Sequence, residues 1–146
     1  LTPLRNHTWR LLVGSRGAYE YFRARLDEFG DGVIIEPARS DFPSLLRGCA
    51  LSISQGGYNT IVETLQAKAR AVIIPFADGD ETEQTMRAEL LARRGLIEMV
   101  PESELSEETL AAATVAALRS NRDTPAIDLS GAEVTAELLE RWTTAS

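Results

Sequence analysis

The stretch that decides the fold is SISQGGYNTIVETL, residues 52–65. An alternating apolar run ends here in two consecutive glycines, Gly56 and Gly57, and a segment with helical periodicity follows at once. Three apolar residues share one face of that segment: Ile61, Leu65 and Ala69. The pattern predicts a buried strand, a tight turn and an amphipathic helix that carries a carboxylate, Glu63, one turn inside it.

The same strand-to-helix pattern repeats along the chain. Short apolar runs predict five strands, at residues 9–14, 32–37, 50–54, 70–76 and 96–100. Helical patterns alternate with them, at residues 18–30, 41–49, 59–69, 81–95, 106–120 and 130–142. The strands are continuously apolar, which is typical of a parallel sheet covered by helices on both faces. The sequence therefore predicts one α/β domain over residues 1–146, with a doubly wound, Rossmann-like parallel sheet.

Composition excludes several classes of function. The net charge of −7 argues against a nucleic-acid partner, which would favour a basic surface. The single cysteine, Cys49, cannot form an internal disulfide, and its apolar surroundings predict a small core residue. With His7 as the only histidine, a zinc site is not expected, and no apolar run reaches membrane-spanning length. We expect a cytoplasmic protein and, because it begins with Leu1, a piece of a longer one.

The glycine turn has the chemistry of an anion site. Ligands of open α/β sheets bind beyond the carboxyl ends of the strands, where Gly56 and Gly57 would lie. Glycines can adopt positive φ and let a ligand approach the main chain closely. The following helix offers unpaired N–H groups to a phosphate, and Glu63 could then reach the hydroxyl pair of an adjacent sugar. The stretch could thus hold the ribose and phosphate of a nucleotide.

A second interpretation needs no ligand. Thr60 and Glu63 also fit a capping box, in which the two side chains satisfy the first N–H groups of the helix. A glycine pair is common in ordinary turns as well. The spacing matches neither the G-x-G-x-x-G fingerprint nor the P-loop, so both interpretations stay open at this point.

A second polar turn lies at the same predicted edge of the sheet. Residues 74–88 leave the fourth strand through a polar loop and enter a helix, with Glu83 and Gln84 in its first turn. Two neighbouring turns of this kind predict one pocket. Asp78 and Asp80 in the loop resemble the metal-binding Asp-x-Asp of the GT-A transferase fold, but the surrounding pattern differs from that fold, and we predict no metal site.

Over residues 45–100 the sequence resembles the donor-binding half of GT-B glycosyltransferases of family 28, the MurG-like kind. Seven positions of the family pattern recur in order across two strand–helix units: Gly56, Gly57, Thr60, Glu63, Pro75, Gln84 and Ala88. The resemblance implies a UDP-sugar donor, with UDP-N-acetylhexosamine expected, inverting transfer, and no cofactor or protein-bound metal.

The resemblance also implies a role for individual residues. Glu63 would hold the ribose hydroxyls, and the main chain near Arg39 would contact uracil. The turn residues Gly56, Gly57, Tyr58, Asn59 and Thr60 would surround the diphosphate, and Glu83 and Gln84 would contact the donor sugar. Two departures stand out: Glu83 replaces one of two glutamines common in the family, and Lys68 stands where a glycine often lies.

Part of the family's architecture is missing. Only one predicted strand separates residues 9–14 from the strand before Gly56, whereas the family has two there. We therefore expect that the first strand of the domain is absent, along with the N-terminal acceptor domain. No catalytic residue is assigned, and the chain is expected to be inactive alone, with the last helix and Trp142 left to contact the missing part.

Three other functions remain open from the sequence. The chain could be a non-catalytic donor-binding subunit that needs a partner chain, a fragment of a UDP-sugar 2-epimerase, or a fragment that binds nothing. A membrane-associated acceptor is compatible with the leading interpretation.

Overall fold

The computed structural model describes residues 7–76, 82–120 and 131–144. Its strands are β1 (Trp9–Val13), β2 (Val33–Pro37), β3 (Ser52–Gln55), β4 (Ala71–Ile74) and β5 (Glu98–Met99). Its helices are α1 (Arg16–Arg23), α2 (Leu26–Phe29), α3 (Phe42–Gly48), α4 (Tyr58–Gln66), α5 (Glu83–Arg93), α6 (Glu107–Arg119) and α7 (Gly131–Thr144). A short 3-10 turn, Glu102–Glu104, precedes α6. The predicted alternation of five strands with helices is confirmed.

One predicted helix, over residues 18–30, is two helices. The Arg25 side chain explains the break, because its Nη1 donates to the Tyr21 carbonyl at 3.1 Å, the acceptor that a continued helix would use. The Arg25 backbone N–H bonds instead to the Phe22 carbonyl at 3.0 Å. Gly30 then ends α2 as predicted, with φ +77°.

All observed strand pairs are parallel, but the strands form two sheets. β1 pairs with β2, and β3, β4 and β5 form a second sheet in that order. The single five-stranded sheet that the sequence predicts is therefore divided between β1 and β3. In the Rossmann order 3-2-1-4-5-6, the first strand lies between the second and the fourth. With β1 as the second strand and β3 as the fourth, the division falls where the expected missing strand would lie.

The core is built around β4, whose alternate side chains face opposite helices. Ala71 and Ile73 belong to a cluster with α4 and α5, which also contains Ile61, Ala88, Leu91, Leu96 and Ile97. Val72 points the other way, to a second cluster with Val100 and Ala117 of α6. Ala71, Val72 and Ile73 of β4 are fully buried, so the prediction that helices cover both faces is confirmed for this strand.

Two consecutive helices end in the same Schellman turn. After α4, the N–H of Ala69 bonds to the Thr64 carbonyl at 3.1 Å and that of Lys68 to the Leu65 carbonyl at 3.0 Å. The equivalent turn after α5 has Gly95 at the position that Lys68 takes after α4. Both residues have positive φ, 68° for Gly95 and 53° for Lys68. The turn thus explains why glycine is favoured at position 68 and why lysine is strained there.

The prediction that Cys49 is a small core residue is wrong. β3 begins only at Ser52, so Cys49 lies outside the strand, at the end of α3, and is exposed rather than in the core. Its Sγ donates to the Leu46 carbonyl at 3.3 Å, and partial burial of the sulfur raises the thiol pKa. The thiol therefore stays protonated and weakly reactive at neutral pH.

The last helix leaves its aromatic residue in solvent. Trp142 of α7 is 69% exposed, as expected for a helix that does not close this chain's own core. None of the helices in the described ranges has the length and hydropathy needed to cross a membrane.

Candidate functional site

The glycine turn opens directly onto a helix that has no side-chain cap. β3 ends at Gln55 and Gly57 is the N-cap of α4, and no side chain in the described part of the chain bonds to the first N–H groups of that helix. Thr60 is the third helical residue rather than the cap, and its carbonyl accepts from Thr64 Oγ1 at 2.6 Å. The capping-box interpretation of Thr60 and Glu63 is therefore wrong, because the helix begins two residues before Thr60.

The two glycines act through their size, not through positive φ. The sequence analysis expected left-handed backbone here, but Gly57 has φ −59°, and the only positive-φ glycines in the described ranges are Gly30 and Gly95. A Cβ on Gly56 would lie 3.3 Å from the Cβ and Oε1 of Gln84, so this position is closed to larger residues. A Cβ on Gly57 would meet nothing within 4 Å, which leaves open space beside the helix N-terminus.

The second polar turn packs against the first. Gln84 covers Gly56, and its Oε1 accepts from the Phe76 N–H at 3.3 Å, which fixes the side chain across the end of β4. The expectation that Gly56 is solvent-accessible is wrong, because this contact buries it. Thr60 and Gln84 are half-buried, as a partly accessible site requires.

Arg87 joins the two turns and was missed by the sequence analysis. Its Nη1 donates to the Gly56 carbonyl at 3.3 Å, and its Nη2 forms an ion pair with Glu83. The guanidinium also lies 5.3 Å from the centre of the Tyr58 ring. The spacing of four residues between Glu83 and Arg87 on one helix was the available signal. A cation therefore lies next to the uncapped start of α4.

Glu63 lies in the second turn of α4 and is half-buried. Within the described ranges its carboxylate makes no hydrogen bond or ion pair with another side chain or main-chain group. A partly buried carboxylate of this kind has unused acceptor capacity, which a ligand with adjacent hydroxyl groups could fill.

Arg39 lies in the loop after β2. Its side chain forms a two-bond fork with Asp41, with both distances 2.8 Å, and a third bond to Glu36 at 3.0 Å. The hydrogen bonds to Asp41 raise the Arg39 pKa above its ordinary value and lower that of Asp41. No hydrogen bond connects this loop to Gly56 or to α4 in the described part of the chain. Because the Arg39 side chain is occupied by these bonds, the expected contact with uracil would be made by main-chain atoms.

The carboxyl edge of the second sheet also carries a cavity of about 380 Å³. It lies beside the first turn of α5 and is lined by Pro75, Thr85, Met99, Pro101, Glu102 and Ser103. Asp78 and Asp80 fall outside the described residues. Across the described ranges, no group of three or more His, Cys, Asp or Glu side chains could hold a metal ion.

Comparisons with known proteins agree with this architecture. The sequence profile of the glycosyltransferase family 28 C-terminal domain matches residues 4–138. A UDP-N-acetylglucosamine--N-acetylmuramyl-(pentapeptide) pyrophosphoryl-undecaprenol N-acetylglucosamine transferase of Exiguobacterium sibiricum is 29% identical over 116 residues, 79% of this chain and 32% of the relative. A transferase of the same name from Chelativorans sp. is 31% identical over 88 residues, 60% of this chain and 24% of the relative. The chain thus spans about a quarter to a third of the length of these relatives.

Two solved structures share the fold. The spinosyn forosaminyltransferase SpnP matches with a TM-score of 0.57 and 20% identity, over 92% of this chain and 40% of its own. The glycotransferase of kitacinnamycin matches with a TM-score of 0.58 and 17% identity, over 81% of this chain and 36% of its own. At these identities the similarity shows the fold alone.

Proposed function

The chain belongs to the glycosyltransferase family 28 C-terminal domain family, and from this membership we propose that it binds the nucleotide-sugar donor of a glycosyltransferase. The proposed donor is a UDP-sugar, with UDP-N-acetylhexosamine as the first candidate. The relatives named above support this choice, because their names specify UDP-N-acetylglucosamine. The observation that carries the proposal is the uncapped start of α4 beside the open space at Gly57.

The diphosphate is proposed to bind at this helix start. Within the described ranges, the first-turn N–H groups of Tyr58, Asn59 and Thr60 have no side-chain acceptor, and the helix dipole favours negative charge there. Arg87 adds a formal charge on the same side. During inverting transfer these donors would stabilise the charge that develops on the UDP leaving group as its bond to the sugar breaks. This role needs no protein-bound metal.

Glu63 is proposed to accept hydrogen bonds from the two ribose hydroxyls. Its carboxylate is half-buried, has no partner in the described ranges, and lies one turn beyond the proposed diphosphate site. The order of phosphate at the helix start and ribose one turn further along matches the order of groups in a nucleotide. The main chain near Arg39 remains the proposed contact for uracil.

The donor sugar is proposed to lie at the start of α5. The Oε1 of Gln84 is occupied by the Phe76 N–H, which leaves the amide NH₂ to donate to a sugar oxygen. Glu83 is paired with Arg87, so a sugar hydroxyl that binds Glu83 would donate to a carboxylate whose charge Arg87 already balances. The nearby cavity beside Thr85 offers room for a substituent of the sugar.

Transfer itself is proposed to need an acceptor-binding part that lies outside residues 1–146, in the same polypeptide or in a partner chain. The chain covers 32% of the Exiguobacterium sibiricum relative, and the matching profile is that of a C-terminal domain. The relatives' names specify a pyrophosphoryl-undecaprenol acceptor, which supports a lipid-linked and thus membrane-associated acceptor here. The epimerase alternative has no observation in its favour, since these relatives are named transferases.

Calorimetric titration with UDP and UDP-N-acetylglucosamine tests the proposal. We expect wild type to bind both ligands and Glu63→Gln to bind about 10- to 100-fold more weakly, because the charge-assisted bonds to ribose contribute about 1.5–3 kcal/mol. The two proteins should have the same melting temperature, since Glu63 caps no helix.

Glu89→Gln is the matched control, because Glu89 is an exposed carboxylate on α5 that pairs with Arg93. It should leave the affinity unchanged. Equal affinities of wild type and Glu63→Gln would remove Glu63 from the site. Absence of binding by wild type would refute donor binding by this chain alone.

A further inference from the structure

The amino edge of the second sheet has a cavity of its own, of about 210 Å³. It is bordered by the end of α3, the end of α4 and the residues that lead into β3 and β4. The Ser52 N–H donates to the Arg70 carbonyl at 2.8 Å, so the starts of these two parallel strands lie side by side here. Gly57 follows the carboxyl end of β3. The cavity therefore lies at the opposite edge of the sheet from the proposed donor site.

Three cationic residues line this basic cavity: Arg47, Lys68 and Arg70. None of the other described residues that line it is acidic, and none of the three forms an ion pair within the described ranges. Arg47 Nη2 donates to Ser44 Oγ at 2.8 Å, and Arg70 Nε donates to the Ser120 carbonyl at 3.4 Å, but both acceptors are neutral. Positive charge is thus concentrated in one place on a chain whose net charge is −7.

Helix dipoles account for only part of this cluster. Cations are favoured near helix C-termini, and Arg47 and Lys68 lie at the ends of α3 and α4. The last carbonyls of α4, however, already accept from the N–H groups of Ala67, Lys68 and Ala69, so they need no side-chain donor. Arg70 belongs to neither helix and directly precedes β4.

Lys68 occupies its position at a conformational cost. In the described ranges it is the only residue other than glycine with a positive φ, which is 53°. The equivalent turn after α5 has Gly95 at the same place. Strained residues are concentrated at functional sites, where the side chain is needed. A lysine in a glycine conformation, beside two arginines, indicates that this position requires the ammonium group.

We propose that the basic cavity binds a small free anion that carries a phosphate group. Guanidinium groups bind phosphate oxygens through paired N–H donors, and an ammonium group adds a compact point charge. The volume of about 210 Å³ lies below the roughly 300–1,000 Å³ of sites for drug-sized ligands, so a phosphate or a small phosphomonoester fits better than a nucleotide. The net charge of −7 opposes approach to an anionic membrane, which favours a free anion.

NMR titration of the amide groups with sodium phosphate, compared with sodium chloride at the same ionic strength, tests the site. We expect the Ala50 and Arg70 amides to shift and saturate with phosphate but not with chloride. The Tyr58 and Asn59 amides report on the donor site separately, so the two proposals can fail independently. Absence of saturable shifts at Ala50 and Arg70 would overturn the proposal.

Lys68→Gly separates anion binding from stability, because the two should change in opposite directions. The substitution relieves the positive φ and should raise the melting temperature. It should nevertheless weaken phosphate binding at Ala50 and Arg70 by about 3- to 10-fold, since it removes one solvent-exposed cation from the site. Arg47→Gln should weaken binding similarly without any change at the turn. Unchanged phosphate affinity in both variants would overturn the proposal.

Arg16→Gln is the matched control for net charge. Arg16 is an exposed arginine that pairs with Glu20 and follows the carboxyl end of β1. Its replacement should leave phosphate affinity unchanged, and a loss equal to that of Lys68→Gly would overturn the proposal. Sedimentation with phosphatidylglycerol vesicles tests the source of the phosphate group. Co-sedimentation that Lys68→Gly abolishes would assign the cavity to a lipid headgroup and overturn its assignment to a free anion.

Discussion

Replacing Gly57 by alanine separates the ligand-binding role of the glycine turn from its structural role. Gly57 has φ −59° and ψ 141°, which any residue adopts, and an added Cβ would meet nothing within 4 Å. Reduced entropy of the unfolded chain favours alanine by about 0.4–1 kcal/mol, and the N-cap preference for glycine opposes it by a similar amount. We therefore expect the free energy of unfolding to change by less than about 0.5 kcal/mol.

The affinity for UDP should behave differently. The new methyl group would occupy the space through which a diphosphate approaches the N–H groups at the start of α4. Loss of one charge-assisted hydrogen bond costs about 1.5–3 kcal/mol, which corresponds to a roughly 10- to 100-fold weaker affinity. Isothermal titration with UDP and urea unfolding of the same protein measure the two quantities. Unchanged affinity in Gly57→Ala would refute the placement of the diphosphate at this turn.

Gly56→Ala is the matched comparison, one residue away. Its Cβ would lie 3.3 Å from the Cβ of Gln84 and 3.5 Å from Cγ2 of Ile73, so packing must shift. Overpacking costs about 1–3 kcal/mol, and the entropic gain offsets part of it. We expect a loss of about 1–2 kcal/mol and a melting temperature lower by roughly 2–8 °C. A variant as stable as wild type would contradict the close contact between Gly56 and Gln84.

Four further substitutions have defined outcomes. Lys68→Gly should raise the free energy of unfolding by about 0.5–1 kcal/mol in urea titrations, because it relieves positive φ at a Schellman turn; Gly95→Ala at the equivalent turn should lower it. Arg87→Met should weaken UDP binding about 10-fold at low salt and reduce its salt dependence, measured by titration at two ionic strengths. The hydrogen bonds from Arg39 lower the Asp41 pKa in the folded protein, so the ionised Asp41 stabilises the fold. This stabilisation is complete above the ordinary pKa of 3.8 and is lost as the pH falls through the lower pKa of the folded protein. Asp41→Asn should therefore remove this part of the acid dependence of unfolding, with NMR titration of the wild-type carboxyl confirming the shift.

Local periodicity was sufficient to predict the elements that build the core. The alternation of Ala71, Val72 and Ile73 between two helical layers follows directly from a strand buried on both faces. The approach of Gln84 to Gly56 could also be predicted, because parallel strands bring successive carboxyl ends to one edge. Each of these inferences needs only the period of the element and the direction of the strand.

What the sequence did not show depends on side chains that meet across elements. Arg87 contacts the Gly56 carbonyl 31 residues away, and no local pattern indicates such a contact. The backbone conformation of the glycines was also mispredicted, because a glycine required for close packing and one required for positive φ look the same in a sequence. The break between α1 and α2 depends on where the Arg25 side chain points, which a helical pattern does not determine.

The division of the sheet has a consequence for cooperativity. Both hydrophobic clusters lie within residues 51–117, together with the glycine turn and Arg87, whereas β1 and β2 contribute only Val13 and Ile35 as buried side chains. The first sheet can therefore open at lower free energy than the second and form a separate foldon. Arg39 belongs to that less stable unit, while Glu63 belongs to the stable one. A nucleotide that contacts both sheets would link the two units. Part of its binding free energy would then be used to keep the less stable first sheet closed.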